Sequence, residues 1–130
     1  MSAKTLEWQN LSFTELTAEG LYAVLRLRQE VFVVEQNCAY LDLDNLDQQA
    51  THMLGMRDGE LLAYQRCLPP DLSYPESSLG RIVVSPAVRG QQLGGVLVRR
   101  GIEHNLLRWP DSGIRINAQA HLQDFYANLG

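Results

Sequence analysis

SLGRIVVSPAVRGQQLGGVLVRRG, residues 78–101, is the most informative stretch of the sequence. Its first part is rich in β-branched residues, which predicts a buried strand, and the apolar residues that follow position 93 recur at helical spacing. A turn of arginine, glycine and glutamine joins the two. Because the first backbone N–H groups of a helix have no partner inside the helix, a tight turn of this kind can bind an anion.

The turn does not match the common nucleotide-binding motifs. No Lys-Ser or Lys-Thr pair follows its glycines, and the glycines at 90, 94 and 95 do not have the G-x-G-x-x-G spacing. Two interpretations therefore stay open at this point. The turn is either a pyrophosphate site or only the glycine-softened start of a surface helix.

The remaining patterns predict a mixed α/β protein whose elements follow the order β-α-β-β-β-α-β-α. They place a strand at 6–9, a helix at 17–36, a hairpin at 51–68, a strand at 78–85, a helix at 93–108, a strand at 113–119 and a helix at 121–130. Thr17 is a suitable cap for the first helix, and Asp58-Gly59 suits the two-residue turn of the hairpin. A chain of 130 residues has the length of one domain, so we expect 1–130 to form a single domain.

Composition narrows the class of partner. The net charge is -4 and the basic residues are scattered, which argues against nucleic acid and against an anionic membrane surface. The two cysteines have no C-x-x-C spacing, so neither a disulfide framework nor a metal site is indicated. No apolar run is long enough to span a membrane. We therefore expect a soluble, cytoplasmic protein that binds small molecules or proteins.

Arg28 is the first candidate for chemistry, because it falls in the middle of the apolar face of the first helix. A buried guanidinium needs a partner. It either forms a structural ion pair with an acid of the 40–47 segment, or it holds an anionic substrate or a catalytic carboxylate. Glu35, just after the apolar run 31–34, is a candidate for the same neighbourhood.

Three aspartates and one histidine can be interpreted either as structural residues or as residues of a functional site. Asp42, Asp44 and Asp47 resemble part of a calcium loop but lack its glycine and its closing glutamate, so we expect a solvated loop. His52, at the start of the hairpin, is either a general base or a histidine satisfied inside the protein.

Tyr126 is the candidate in the last helix. It lies on the apolar face of that helix, where a tyrosine is either a core residue whose hydroxyl finds a partner or a general acid. A tyrosine can protonate a leaving group of similar pKa, such as a thiolate.

When the strand, the turn, the helix and Tyr126 are taken together, the sequence resembles the GNAT superfamily of N-acetyltransferases, and within it the ElaA family. The resemblance rests on LYAVLRLRQEVFVVEQNCAY (21–40), DNLDQQATHM (44–53), LGRIVVSPAVRGQQLG (79–94) and AQAHLQDFYANLG (118–130). The family pattern Q/R-x-x-G-x-G/A falls on Arg89, Gln92 and Gly94. Gln92 thus stands where the family has its first glycine.

The resemblance implies a GNAT-like mixed central sheet flanked by helices, with acetyl-CoA as co-substrate and an amine as acceptor. It assigns the pyrophosphate of acetyl-CoA to the turn and the pantetheine arm to the strand before it. It implies these cofactor-binding residues: Ile82, Val83, Val84, Arg89, Gly90, Gln91, Gln92, Leu93, Gly94, Gly95 and Gln119. It also implies that Tyr126 protonates the departing CoA thiolate, and that a strand N–H near Val83 or Val84 stabilises the oxyanion.

Several points stay open within the resemblance. Many members have a glutamate base on the strand before the turn, but this strand has none, which leaves Glu35, His52 or a water relay as the base. Arg28 and His52 are the candidates for the acceptor pocket. Members also continue with two strands after the position of Gly130, so we expect a C-terminally truncated domain.

Two other functions fit parts of the sequence, and an assembly is also suggested. One is a non-catalytic CoA-binding or interaction module, and the other is an acyltransferase similar to the acyl-homoserine-lactone synthases, on the segment LRQEVFVVEQ (27–36). In the helix at 93–108, one apolar stripe contains Leu93, Val96, Leu97 and Leu107, and another on the opposite side contains Val98, Ile102 and Leu106. We expect the outer stripe to contact either a second subunit, which would make a homodimer, or a neighbouring helix.

Overall fold

A five-stranded sheet in the order β1-β2-β3-β4-β5 organises the computed structural model, which describes residues 6–39 and 41–116. The elements are β1 (Glu7–Ser12), α1 (Ala18–Gln29), β2 (Thr51–Arg57), β3 (Glu60–Leu68), β4 (Ser77–Val84), α2 (Leu93–Arg108) and β5 (Ile114–Ile116). Strands β1 to β4 are antiparallel, and β5 runs parallel to β4. The predicted mixed α/β fold is confirmed up to β5. The end of the predicted last strand, with Gln119, and the predicted final helix, with Tyr126, lie outside the described residues.

Helix α1 begins where the sequence predicts. The Thr17 hydroxyl accepts a hydrogen bond from the Gly20 backbone N–H at 2.9 Å, which is the usual capping contact. The predicted continuous helix is wrong in one respect, because the chain continues after Gln29 as a π-helix over Glu30–Glu35. Short π-helical segments are rare in proteins overall, and many of those that occur lie at functional sites.

The predicted hairpin turn is confirmed. Asp58 and Gly59 have φ angles of 54° and 78°, and β2 and β3 pair on either side of them. Positive φ at both central residues is the requirement of a type I′ turn, which matches the twist of the two strands.

Strand β4 has a bulge in its middle. Tyr64 lies opposite Val83 and Arg66 lies opposite Gly80, so β4 uses one more residue than β3 over this interval. Arg81 accommodates the extra residue with a φ of 50°. The described residues of β5 pair with Ser77–Leu79, and the chain beyond the bulge reaches the turn through a short 3-10 helix at Pro86–Val88.

Two apolar clusters cover the two faces of the sheet. Met53, Ala63 and Ile82 point to the α2 side, while their neighbours Leu54, Tyr64 and Val83 point to the α1 side. This alternation follows from the two-residue period of a strand and explains why one helix packs on each face.

The apolar residues of α2 divide differently from the two predicted stripes. Leu97 and Val98 are both fully buried, whereas Leu106 and Leu107 are exposed together on the outer surface. The helix approaches the sheet closely at Gly101, where an added Cβ would lie 2.5 Å from the Gln65 amide nitrogen. The two stripes assigned from the sequence are therefore wrong, because one buried face includes residues from both.

Candidate functional site

The turn between β4 and α2 leaves backbone N–H groups at the surface. Gly90 and Gln92 have φ angles of 89° and 61°, and α2 begins at Leu93. Gln92 occupies the N-cap position, but its side chain makes no capping hydrogen bond, and the first turn of α2 has no acidic residue. Since the first N–H groups of a helix have no acceptor within it, this end of α2 favours an anion.

The conformation of Gln92 explains why a glycine suits this position. A left-handed backbone is favourable for glycine and costs other residues on the order of 1 kcal/mol. The residue is exposed, so its side chain is outside the core. The turn therefore keeps a glycine-type geometry with a glutamine in it.

Arg89 is the cation of the turn, and its guanidinium pairs with Glu35. Its two terminal nitrogens donate to the two carboxylate oxygens of Glu35, the second at 2.7 Å, while its Nε donates to the Val84 carbonyl oxygen at 3.3 Å. The hydrogen bonds that Arg89 donates to the Glu35 carboxylate raise the pKa of Arg89 above its usual value. The predicted neighbourhood of Glu35 with Arg28 is not observed among these contacts, because the π-helix directs Glu35 to the turn.

Arg28 is fully buried and has carboxylate partners. Its Nε donates to Asp42 Oδ2 at 2.9 Å, and its Nη1 donates to Asp47 Oδ1 at 2.9 Å. The structural ion pair with the 40–47 segment is therefore present. Because no part of Arg28 is exposed, its position favours this structural interpretation over a contact with substrate.

Two arginines that the sequence analysis did not select complete the cluster. Arg66 on β3 donates to Asp47 Oδ1 at 2.9 Å and to Asp44 Oδ1 at 2.7 Å. Arg81, at the bulge, donates to Asp42 Oδ1 at 2.8 Å. A charged residue at a buried position of an apolar strand, as in YQRCL (64–68), was the available signal for Arg66.

The three arginines and three aspartates balance in charge, and the pairing changes the acidity of the carboxyls. Burial alone would raise the pKa of Asp44, but the hydrogen bonds and charge of Arg66 outweigh it and hold that pKa at about 2. For Asp47, burial is likewise outweighed by the charge of Arg28 and the hydrogen bonds of both arginines, so its pKa is also lowered. Both groups are therefore ionised at neutral pH.

The expectation of a solvated acidic loop is wrong. Asp42 and Asp47 are buried, while Leu41 and Leu43 are 79% and 48% exposed. The loop turns its carboxylates inward because the three arginines lie beneath it. A count of acids along the chain could not show this, since the partners come from α1, β3 and β4.

His52 is also internal. Its ring is fully buried, with Nε2 2.9 Å from the Asp47 carbonyl oxygen and Nδ1 2.6 Å from the Tyr64 hydroxyl. A carbonyl oxygen can only accept, so Nε2 carries the proton and Nδ1 accepts from Tyr64. Burial lowers the pKa of His52 and keeps the ring neutral. Its position favours the structural interpretation over a base or a substrate contact.

The described residues contain no group of three or more histidine, cysteine, aspartate or glutamate side chains placed to hold a metal ion. Within the same part of the chain, no helix has the length and apolar character needed to cross a membrane.

Residues 6–130 match the acetyltransferase (GNAT) family. The chain belongs to this family. Within it, the chain is a member of the ElaA family: it is 44% identical to protein ElaA of Escherichia coli strain K12 over 127 residues, which cover 96% of this chain and 83% of ElaA. The crystal structure of Escherichia coli ElaA superposes with a TM-score of 0.90, over 96% of this chain and 86% of that one.

A second solved structure supports the same class. An acyl-CoA N-acyltransferase from Pseudomonas aeruginosa is 43% identical and superposes with a TM-score of 0.90, over 97% of this chain and 86% of that chain. The protein is thus a GNAT-type N-acetyltransferase, an enzyme family that takes its acyl group from acyl-CoA.

Proposed function

We propose that this GNAT enzyme transfers an acetyl group from acetyl-CoA to an amine of a small molecule or a protein, and that residues 1–130 belong to one domain. The observation that carries the proposal is the turn between β4 and α2. It combines an uncapped helix N-terminus, two left-handed residues and an arginine, Arg89, whose Nε donates to the carbonyl oxygen of the last residue of the bulged strand β4.

Each part of acetyl-CoA has a matching group in this region. The backbone N–H groups of 91–95 suit the pyrophosphate, because those at the start of α2 have no acceptor within the helix, and Arg89 lies just before them in the chain. Residues 82–84, beyond the bulge, suit the pantetheine arm, which would pair with the strand as an added strand does. Gln119 is assigned to the cofactor through the family resemblance.

The reaction is a direct transfer. The neutral amine attacks the thioester carbonyl, a C–N bond forms, and the C–S bond breaks. A backbone N–H near Val83 or Val84 stabilises the oxyanion, and Tyr126 donates a proton to the CoA thiolate. The proton that the amine loses passes to a base.

Among the three candidate bases, the contacts favour a water relay. Both oxygens of Glu35 accept from Arg89 at the turn, so its carboxylate lies at the pyrophosphate end of the proposed cofactor site. Both ring nitrogens of His52 are occupied inside the protein. A water chain needs neither side chain to move.

The acidic loop does not by itself select a cationic acceptor. Asp42, Asp44 and Asp47 are matched by three arginines, so the cluster has no excess negative charge. The acceptor is therefore proposed only as an amine. Because acetyl-CoA is an intracellular metabolite, we place the enzyme in the cytoplasm.

A substitution that adds a negative charge to the turn tests whether the turn binds the pyrophosphate. Gln91→Glu adds a carboxylate at the exposed N-terminus of α2, which stabilises the free protein by up to about 1 kcal/mol but repels a pyrophosphate. We expect an unchanged or higher melting temperature and about tenfold weaker acetyl-CoA binding by calorimetry. Gln9→Glu, on exposed β1, is the control and leaves binding unchanged. Equal acetyl-CoA affinity in Gln91→Glu and wild type would contradict the assignment of the turn.

Turnover separates the remaining functions. Release of free thiol from acetyl-CoA with a panel of amines is expected for the wild type and is reduced in Tyr126→Phe. Binding of acetyl-CoA without thiol release for any amine would favour the non-catalytic module. A requirement for an acyl-carrier-protein donor would favour the enzyme similar to acyl-homoserine-lactone synthases.

A further inference from the structure

The ion pair between Glu35 and Arg89 joins two segments that are distant in the sequence. Glu35 ends the π-helix, and Arg89 lies 54 residues later in the turn before α2. Both side chains are partly exposed, at 42% and 43%. The pair therefore forms at the protein surface, where a ligand can reach it.

The guanidinium of Arg89 is mostly committed in this arrangement. Arginine has five N–H donors. One of them donates to the Val84 carbonyl oxygen and two donate to the Glu35 carboxylate. The carboxylate thus covers the end of the guanidinium that is best suited to bind a phosphate group in a bidentate manner.

Glu35 also changes the charge of the turn. The first turn of α2 contains no acidic residue, so the helix end and Arg89 together would favour an anion. The Glu35 carboxylate neutralises Arg89 and so removes the positive charge that would attract an anion to this helix end. A pyrophosphate that binds there meets a like charge.

We propose that Glu35 is an internal competitor of the cofactor: its carboxylate occupies Arg89 in the free enzyme and lowers the affinity for acetyl-CoA and for the product CoA. The inference rests on the proposed function, because it needs the turn to bind the pyrophosphate. An exposed ion pair contributes little to stability, so a ligand with several phosphate charges can displace it. Weaker binding of CoA favours release of the product, a step that limits turnover in many enzymes.

The test compares ligands with and without the pyrophosphate. Calorimetric dissociation constants are measured for acetyl-CoA, CoA and S-acetylpantetheine with the wild type, Glu35→Gln and Glu7→Gln. Glu7 is an exposed residue of the edge strand β1, so its variant makes the same change in net charge far from the turn.

We expect Glu35→Gln to bind acetyl-CoA and CoA about three- to tenfold more tightly than the wild type, the effect expected for one partly exposed charge. Its affinity for S-acetylpantetheine stays unchanged, and added salt reduces the gain because salt screens the repulsion. Glu7→Gln binds all three ligands as the wild type does. Glu35→Ala repeats the measurement if the glutamine variant folds poorly.

Two results would overturn the inference. Weaker acetyl-CoA binding in Glu35→Gln would show that Glu35 positions Arg89 instead of competing for it, and unchanged binding would show that the pair does not affect the cofactor. Failure of the proposed function has a different signature. In that case the wild type itself binds acetyl-CoA no more tightly than S-acetylpantetheine.

Discussion

Asp47→Asn tests how strongly the buried charge cluster stabilises the fold. Asp47 Oδ1 accepts from Arg28 and from Arg66, each at 2.9 Å, and the exposed fractions of the two arginine residues are 0% and 4%. Asparagine has nearly the same shape and keeps one oxygen acceptor. The substitution therefore removes the charge while it preserves much of the hydrogen bonding.

The expected loss is about 3 kcal/mol of unfolding free energy at pH 7. Removing one partner of a buried ion pair costs about 3–5 kcal/mol, because a buried charge is left without compensation, whereas an exposed pair contributes about 0–1 kcal/mol. The cluster changes from neutral to a charge of +1, but Asp42 and Asp44 still neutralise part of it. The lower end of the range is therefore appropriate.

Urea denaturation, followed by tryptophan fluorescence and far-UV circular dichroism, measures this loss. Asp44→Asn is the first comparison. Its side chain is 28% exposed, so solvent screens its charge more than that of Asp47 and its substitution should cost less than Asp47→Asn. Asp111→Asn, at an exposed position, should change stability by less than about 0.5 kcal/mol.

A loss below about 1 kcal/mol in Asp47→Asn would mean that the buried pair behaves as an exposed one. An equal loss in Asp44→Asn would mean that burial does not decide the magnitude.

Three further predictions concern acid, the turn and the packing of α2. The pKa of Asp44 in the folded protein is about 2, below its usual value of 3.8, so its contribution to the free energy of unfolding is present above pH 4 and is lost as the pH falls towards 2. Circular dichroism should therefore show acid unfolding in this range. Asp44→Asn should weaken the dependence of stability on pH. Gln92→Gly should raise or maintain the melting temperature, because glycine adopts the φ of 61° without cost. Gln92→Val should lower the free energy of unfolding by at least about 1 kcal/mol. The opposite order of stability would mean that the turn does not keep this conformation. Gly101→Ala should lower the free energy of unfolding, measured by urea denaturation, by about 1–3 kcal/mol although alanine favours helices, because the new methyl group would lie 2.5 Å from the Gln65 amide nitrogen. The control is Leu107→Ala on the same helix. Leu107 is 85% exposed, so this variant should change the free energy of unfolding by less than about 0.5 kcal/mol.

The features that the sequence predicted well are local. The cap at Thr17, the Asp58-Gly59 turn and the limits of α2 depend on residues within a few positions of one another. Their physical causes are a side-chain acceptor for a helix N–H, positive φ angles and the 3.6-residue period. The same kind of evidence raised the possibility of an anion site in the turn, because a strand that leads into a helix through glycines can be recognised in one short stretch, and this site stays a prediction.

The candidate site was predictable only in part. The sequence indicated that Arg28 needs an acidic partner, but it left open which acids supply it and whether they lie inside the protein. Glu35 shows the same limit, because a helix of 3.6 residues per turn does not place it as the π-helix does.

The amino-acid sequence alone predicted the order of the elements up to β5, the hairpin turn and, by resemblance, the GNAT family. Only the tertiary structure decided which charges meet: Arg28 with Asp42 and Asp47, at separations of 14 and 19 residues, and Arg89 with Glu35, at 54. The physical reason is that a dihedral preference or a helical period acts over a few residues, whereas the pairing of two charges depends on how separate elements pack. Burial then makes such a pair a stabilising contact, and exposure leaves it open to competition by a ligand.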